Sequence, residues 1–599
     1  MIYHCEDHTC NYWDEGEKLP ERCPQCGRKL LRANEADMTG DDWTALGNTL
    51  WDAEASDKKR MVDCFRKAAY LGSAWGVCNL GICMEQGNGV EADPVQAFWL
   101  YQQAVEMGSL NAVCCLGVCY QYGIGTAPDA KQAAELYCKA AEYGSPRGQM
   151  LLARAFHDGI GVEADAAEAV YWVRAAAYQR YGEGMHRLGV CYEYGDGVEQ
   201  NWERAVHWFR EAAESGVSVA MTDLGYCYEK GCGVEQSWEQ AFSWYRRGAE
   251  CGNPVSMSNL GLCYQRGYGV EQNLQEAIKW YEQGAQCGDL QSMHNLACCY
   301  ERGEGVEQNE DRAFYWYRRS AEGGHGSAMC NLGRCYKRGY GVEQNWQEAV
   351  KWYEQGAQCG NLQSMHNLAC CYERGEGVEQ NMTEAIRWYT AAAEGGNADD
   401  MYNLGWQYDH GEGVEQDMKK AICWYERAAE QNHPAAMNSL GECYAMGQGV
   451  PRDLETAMEW YRRAAELGEA MADYNMGWHL EQAGKLSEAY AHYRKAADGN
   501  DDSAWWALGR FYENGVVVAQ DGKEARRCYE TGEKLGSVKC KMRLARCKLL
   551  GIGGRRAKNA GLDLCRQALE LAKESSEKED YGYEAEMNLL RRTIAENES

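Results

Sequence analysis

Residues 260–295 read LGLCYQRGYGVEQNLQEAIKWYEQGAQCGDLQSMHN, and this stretch decides the fold because the chain repeats it. Its first pair, Leu-Gly, recurs every 36 residues as Leu-Gly or Leu-Ala without a slip in register. A fixed period of this length indicates a solenoid of helix pairs, in which each pair completes the core of its neighbour. The leucines of these pairs, called anchors below and continued by Met476, are Leu80, Leu116, Leu152, Leu188, Leu224, Leu260, Leu296, Leu332, Leu368, Leu404 and Leu440.

One copy predicts a first helix that ends in a glycine turn. Gly267 ends this helix, Gly269 keeps the turn tight, and Val270 returns to the core. The small Gly261 allows a neighbouring element to approach closely. The apolar stripe of the helix consists of Met257, Leu260, Gly261 and Tyr264.

The same copy predicts a second helix with its own start and stop signals. Asn273 is the N-cap, Glu276 completes a capping box, and Gly288 stops the helix. Its apolar stripe is Ala277, Trp280 and Tyr281. Asp, Asn or Ser fills the cap position throughout: Asp93, Asp129, Asp165, Asn201, Ser237, Asn273, Asn309, Asn345, Asn381, Asp417 and Asp453.

The pattern LGxCYxxGxGVxQNxxxAxxWYxxGAxxG resembles the Sel1-like repeat, a longer-looped relative of the tetratricopeptide repeat, over roughly residues 40–575. The resemblance implies an all-α fold, an α/α superhelical solenoid of about 15 helix-turn-helix repeats. It also implies that the first helices line a concave surface that binds other proteins, and it implies no chemistry of its own.

Departures from the pattern divide the chain into segments. Residues 1–34 form a separate small domain, 35–79 a degenerate N-terminal capping repeat, 80–475 the regular repeats, 476–575 divergent tetratricopeptide/Sel1-like repeats and 576–599 a C-terminal capping helix. Within the regular part, residues 269–309 and 341–381 differ at only three positions. A block of two repeats was therefore duplicated.

The composition and the sequence motifs exclude several classes of function. The formal net charge is −29, so a global basic field for nucleic acid or anionic lipid is absent. We find neither an apolar leader in the first ten residues nor an uncharged apolar run of about eighteen residues, and so expect a cytoplasmic protein without a membrane span. No signature of a hydrolase, kinase or metalloprotease is present, and we expect no enzymatic activity.

The 30 cysteines follow the repeat rather than a disulfide framework. Equivalent positions on successive first helices lie about 8–10 Å apart, which is too far for a disulfide. We therefore expect these cysteines to be buried packing residues in a reducing compartment. The ten that share one position, three residues after the anchor, are Cys83, Cys119, Cys191, Cys227, Cys263, Cys299, Cys335, Cys371, Cys443 and Cys547.

The first 34 residues predict a metal site. Cys5, Cys10, Cys23 and Cys26 have the spacing C-x4-C-x12-C-x2-C, and four thiolates around one cation make a closed structural zinc site. The segment resembles the rubredoxin-like zinc ribbons, with two extra residues in its first knuckle. One zinc per chain is the expected cofactor.

Three alternatives to this zinc site remain open. His4 or His8 lies close enough in sequence to replace a cysteine ligand. The four thiols could carry no metal. An iron-loaded ribbon would instead make the protein an electron-transfer or redox protein.

The first helices also predict a partner-binding surface. Positions −2, −1, +2, +5 and +6 from the anchor face away from the core stripe and toward the expected groove. Position +6 carries a row of cations: Lys230, Arg266, Arg302, Arg338 and Arg374. Position −1 carries Asn259, Asn295, Asn331, Asn367 and Asn403, and two aromatic residues, Tyr402 and Trp406, lie on the same face.

Guanidinium groups for carboxylates, amides for a peptide backbone and aromatic anchors are typical of a peptide-binding groove. The sequence thus predicts a non-enzymatic scaffold or adaptor that binds acidic or carboxylate-bearing segments of partner proteins. The alternative is a solvated or self-paired face, because Glu229, Glu301 and Glu373 directly precede three of the cations.

Overall fold

The computed structural model describes residues 2–5, 13–15, 30–33, 38–51, 55–578 and 584–598. Three short strands, β1 (Ile2–Cys5), β2 (Trp13–Glu15) and β3 (Leu30–Ala33), form an antiparallel sheet in the order β2-β1-β3. The rest of the described chain contains 31 helices in tandem. The odd-numbered helices α1 to α29 are the first helices of successive repeats, and the predicted all-α solenoid is confirmed.

The chain forms two compact units, residues 1–309 and 310–599. The first unit contains the sheet and fifteen helices: α1 (Gly40–Thr49), α2 (Ala55–Tyr70), α3 (Ala74–Gln86), α4 (Pro94–Glu106), α5 (Leu110–Tyr122), α6 (Ala130–Glu142), α7 (Pro146–Asp158), α8 (Ala166–Tyr178), α9 (Gly182–Tyr194), α10 (Trp202–Glu214), α11 (Ser218–Lys230), α12 (Trp238–Glu250), α13 (Pro254–Arg266), α14 (Leu274–Gln286) and α15 (Leu290–Arg302).

The second unit contains the remaining helices of the described chain. They are α16 (Glu310–Glu322), α17 (Gly326–Arg338), α18 (Trp346–Gln358), α19 (Leu362–Arg374), α20 (Met382–Glu394), α21 (Ala398–His410), α22 (Met418–Glu430), α23 (Pro434–Met446), α24 (Leu454–Glu466), α25 (Ala470–Gln482), α26 (Leu486–Asp498), α27 (Asp502–Asn514), α28 (Gly522–Lys534), α29 (Val538–Leu550), α30 (Lys558–Lys578) and α31 (Glu584–Glu598).

Within each unit, helices pack mainly on helices one or two places away in the chain. The tightest packing joins a first helix to the second helix of its own repeat, and the next tightest joins that second helix to the following first helix. Within each unit the hydrophobic core is consequently built between neighbouring repeats, as the fixed period predicts.

Two glycines of the repeat are required for close approach. A Cβ at Gly261 would lie 2.5 Å from the ring of Tyr281, so the first helix can pack on the second only with this small residue. A Cβ at Gly269 would lie 2.1 Å from the carbonyl oxygen of Trp238 in the preceding repeat. Gly269, which also has a φ of +67°, therefore seats the turn on its neighbour in addition to tightening it.

The predicted cap of the second helix is confirmed, but the capping box is wrong. The side chain of Asn273 accepts a hydrogen bond from the backbone N–H of Glu276 at 3.1 Å. The carboxylate of Glu276 pairs with Lys279 one turn further on, rather than returning to the cap. The ion pair at position i, i+3 competes for the carboxylate that a capping box would use.

The cysteines three residues after the anchor are packing residues, as predicted. All ten are buried, with at most 3% of their surface exposed. Burial disfavours the thiolate and raises the pKa of Cys263 to about 12. These thiols are consequently poor nucleophiles at neutral pH.

Candidate binding surface on the first helices

The first unit presents three of the predicted cations. Lys230, Arg266 and Arg302 are all exposed at the ends of their first helices. Lys230 pairs with Glu229 at 2.9 Å, and Arg302 approaches Glu304 at 3.6 Å. Exposed pairs of this kind contribute only about 0–1 kcal/mol, so these side chains can exchange partners at little cost.

The second unit presents the other two cations. Arg338 and Arg374 are exposed, and the Arg338 guanidinium lies 5.8 Å from the ring centre of Tyr340. The next position in the row is His410, whose ring stacks on Trp406 at 4.2 Å. The row therefore changes from cationic to aromatic at α21.

The asparagines at position −1 are half-buried and contribute to contacts between repeats. Asn367 donates to the Cys330 sulfur of the preceding repeat at 3.4 Å, whereas Asn295 accepts from Gln291 of its own helix at 2.9 Å. Asn475, at the same position of α25, donates to Asn438 at 3.0 Å. The half-buried members of the predicted set are Asn259, Asn295, Asn331, Asn367 and Asn403.

The two predicted aromatic anchors are half-buried and stack on histidines. The ring of Tyr402 lies 4.9 Å from that of His433, nearly parallel to it. Trp406 stacks on His410, whose Nδ1–H donates to the carbonyl oxygen of Trp406 at 3.0 Å. One face of each ring is thus already covered.

Position +5 does not face the groove freely, contrary to the sequence prediction. In many repeats the residue there accepts a hydrogen bond from a buried tyrosine of the second helix in the same repeat. Such pairs, at 2.6–3.2 Å, include Tyr101–Glu85, Tyr137–Gln121, Tyr245–Glu229, Tyr281–Gln265, Tyr389–Glu373, Tyr425–Asp409, Tyr493–Glu481 and Tyr529–Glu513. This satisfies each buried hydroxyl and fixes the +5 side chain.

Two regular repeats lack this tyrosine, and only one of them also lacks an aromatic ring there. Val173 of α8 occupies the tyrosine position, 36 residues after Tyr137, and Phe209 occupies it in the next repeat. Val173 is only 3% exposed. The shorter side chain leaves part of the aromatic volume unfilled.

A cavity of about 270 Å³ lies at this position, between α7, α8 and α9. Its apolar wall includes Ala153, Val170, Val173 and Cys191, all of which are buried. Its mouth is charged and carries Arg154, His157, Asp158, Glu183, Arg187 and Asp196. This cavity was not predicted from the sequence, although the replacement of tyrosine by Val173 is visible there.

An ion-pair network orders the mouth of the cavity. His157 bridges two carboxylates, with Nδ1 2.7 Å from Asp158 and Nε2 3.2 Å from Asp196. Arg154 pairs with Asp158 at 3.4 Å, and Arg187 approaches Asp196 at 3.7 Å. The hydrogen bond from His157 holds the pKa of the Asp158 carboxyl below its usual value.

The predicted metal ligands fall largely outside the described residues. Cys5 ends β1, whereas Cys10, Cys23 and Cys26 lie in segments that the structure does not describe. Among the side chains it does describe, no group of three or more His, Cys, Asp or Glu is placed to hold a metal ion. The zinc site stays a prediction.

In the part of the chain with assigned structure, no helix combines the length and the apolar character that crossing a membrane requires. Helix-pair solenoids of this class present long surfaces that bind other proteins.

Comparison with known proteins identifies the repeat. The Sel1 repeat family model matches thirteen successive segments: residues 76–109, 112–145, 146–181, 182–217, 218–253, 254–289, 290–325, 326–361, 362–397, 398–433, 434–469, 470–501 and 504–537. A comparison with curated proteins gives no match.

Two solved structures are similar to this chain. A protective antigen of uropathogenic Escherichia coli with an SLR fold is 32% identical, with a TM-score of 0.52, over 75% of this chain and 97% of the antigen. A Sel1 repeat protein from Oxalobacter formigenes is 33% identical, with a TM-score of 0.38, over 41% of this chain and 96% of that one. The family model spans most of the chain, which therefore belongs to the Sel1 repeat family.

Proposed function

We propose that the protein is a binding scaffold whose first helices receive an acidic segment of a partner protein. The observation that carries the proposal is the exposed cation at one fixed position of successive first helices. In the first unit Lys230, Arg266 and Arg302 occupy this position in three repeats in sequence. The chain as a whole is strongly acidic, with a formal net charge of −29, so random placement would not favour such a row.

The row suits carboxylates because an arginine guanidinium binds them with two parallel hydrogen bonds. Successive side chains lie on successive first helices, so an extended segment can contact several of them. The half-buried asparagines beside the row have amide groups that suit a peptide backbone. Arg338 and Arg374 offer the same chemistry within the second unit.

Reversing two charges in the first unit tests the proposal. The double variant R266E/R302E is expected to weaken partner binding by about 2–4 kcal/mol, because two charge-assisted contacts become repulsive. The partner would be captured from native cells on the immobilised protein, identified by mass spectrometry and then titrated calorimetrically at two salt concentrations. Both arginines are exposed, so the fold is expected to survive.

A matched control reverses two exposed cations on second helices. Arg246 pairs with Glu250 and Lys279 pairs with Glu276, both on the second helices of the same unit. The variant R246E/K279E changes the net charge equally and is expected to leave binding intact. Equal affinity and equal salt dependence in wild type and R266E/R302E would place the binding surface elsewhere.

We also propose that the N-terminal cysteines hold one zinc ion. The strand register favours this, because Cys5 at the end of β1 lies opposite Leu30 at the start of β3, and His4 lies opposite Trp13 at the start of β2. Cys10 precedes Trp13 by three residues and Cys26 precedes Leu30 by four. These short separations in sequence are compatible with four thiolates around one zinc ion.

Metal analysis of the purified protein is expected to give about one zinc per chain with no visible colour. The variant C23S/C26S is expected to lose it, while C251S/C287S, which alters two exposed cysteines of the repeats, should retain it. Stoichiometric iron with a reversible one-electron wave would instead favour the electron-transfer alternative.

A further inference from the structure

The cavity beside Val173 corresponds to the space that a tyrosine ring fills in other repeats. The rings of Tyr101, Tyr137 and Tyr245 pack on the residue that follows the anchor in their own repeat. At the equivalent places here, Ala153 and Val173 line the cavity instead. The surroundings that hold an aromatic ring are therefore present without the ring.

The cavity volume alone does not identify the ligand, but the charged residues at the mouth restrict which chemical groups can bind there. Arg154 and Arg187 lie with Asp158, Glu183 and Asp196 around the same opening, so the mouth carries charges of both signs. A strongly anionic or cationic ligand would meet repulsion from part of the mouth. A neutral group that donates a hydrogen bond to a carboxylate fits better.

The repeats that contain the tyrosine show which group donates such a hydrogen bond. Glu85, Glu229, Asp409 and Glu513 each accept a hydrogen bond from a tyrosine hydroxyl whose ring is buried in the same repeat. In the repeat that contains Val173, position +5 is His157, and its ring holds Asp158 and Asp196 at the mouth. Two carboxylate acceptors thus stand beside an empty aromatic space.

The cavity opens on the face that carries the cations. Asp158 occupies position +6 of α7, the position that Lys230 occupies on α11. About 39% of the Asp158 side chain and 41% of the Arg187 side chain is exposed to solvent, so the mouth is accessible from that face. A segment bound along the first helices could place one side chain in the cavity.

We propose that this cavity is a tyrosine-binding pocket, which takes the phenol side chain of an extended partner segment. The ring packs on Ala153 and Val173, and the hydroxyl donates to a carboxylate at the mouth. The proposal rests on the proposed scaffold function and adds the residue type that the partner must supply.

The phenol itself is the first probe. 4-Methylphenol reproduces a tyrosine side chain, and saturation-transfer NMR on the full chain detects weak binding of such small ligands. We expect it to bind the wild type, and toluene to bind about tenfold more weakly because it lacks the donated hydrogen bond to a charged acceptor. Equal binding of the two ligands would show a merely apolar cavity and overturn the proposal.

Filling the cavity is the decisive variant. In V173Y the chain supplies its own ring, and Ala369 beside the buried Tyr389 shows that alanine next to such a ring is tolerated. The second variant, A153G/V173Y, restores the glycine found beside most of the tyrosines. Both are expected to stay folded by circular dichroism and to lose 4-methylphenol binding, whereas retained probe binding would contradict the site.

Measuring partner binding distinguishes the tyrosine-pocket proposal from the scaffold proposal on which it rests. V173Y is expected to weaken partner binding about tenfold or more, and R266E/R302E is expected to bind 4-methylphenol like wild type. Unchanged partner binding in V173Y, with probe binding lost, would make the cavity a small-molecule site and overturn the tyrosine proposal. Unchanged partner binding in R266E/R302E alone would overturn only the role of the cation row.

Discussion

Replacing His366 by alanine is expected to destabilise the second unit by about 3–5 kcal/mol, because it leaves a buried carboxylate without its partner. His366 of α19 lies 2.7 Å from Asp400 of α21, in the next repeat, and the side chain of Asp400 is fully buried. Burial raises the pKa of the Asp400 carboxyl, and the bond to His366 opposes that shift. Denaturant unfolding followed by circular dichroism measures the loss.

The duplicated block supplies a matched control. Helix α15 has the same sequence as α19, with His294 in place of His366, but Ala328 stands where Asp400 would be, 34 residues further on. H294A therefore orphans no carboxylate at that position and is expected to cost about 1 kcal/mol. Equal losses in H294A and H366A would show that the pair with Asp400 contributes nothing specific.

The His366 pair also predicts a pH dependence. The hydrogen bond to Asp400 raises the pKa of His366 to about 10, from 6.5 for an unperturbed histidine. A raised pKa adds stability that is fully present below pH 6.5 and is lost as the pH rises through about 10. The difference in stability between wild type and H366A should therefore shrink at the alkaline end of this range.

Removing the ring of Tyr281 is expected to cause the second large loss of stability. Y281A is expected to cost about 3–5 kcal/mol, because this side chain is completely buried and packs against Gly261. The variant Y281F loses only the hydrogen bond to Gln265, which is 2.9 Å long, and should cost about 1 kcal/mol. Denaturant-induced unfolding of both variants separates the contribution of ring packing to stability from that of the hydrogen bond.

Tyr143 provides the surface control for this prediction. It lies at the end of α6 with 68% of its surface exposed, so Y143A should change stability by less than about 0.5 kcal/mol. A loss in Y281A no larger than in Y143A would contradict the role of the tyrosine column in the core.

The architecture was readable in the sequence because it depends on local and repeated signals. The anchor spacing, the cap at Asn273 and the close approach at Gly261 each act within one repeat, and each recurs many times. Periodicity of this kind averages out the ambiguity of any single position. The failure of the capping box at Glu276 shows the limit, since Lys279 competes for the same carboxylate.

The surface was harder to predict because helical periodicity indicates which way a side chain points but not which residue it contacts. Position +5 faces the groove on a helical wheel, yet Tyr281 reaches it from the second helix and engages Gln265. The cavity at Val173 required knowing that tyrosine fills this space elsewhere, which only packing across two helices reveals. The recurring pattern predicts the common repeat, and the proposed pocket arises where one repeat departs from it.

Packing that runs mainly between neighbouring repeats has a consequence for how such a chain changes over generations. Because the described helices pack mainly on their near neighbours, a whole number of repeats can be gained or lost while the junctions keep the same chemistry. The near-identical residues 269–309 and 341–381 record one such gain. The number of first helices is therefore a heritable trait that varies in steps of 36 residues, independently of the side chains that those helices expose.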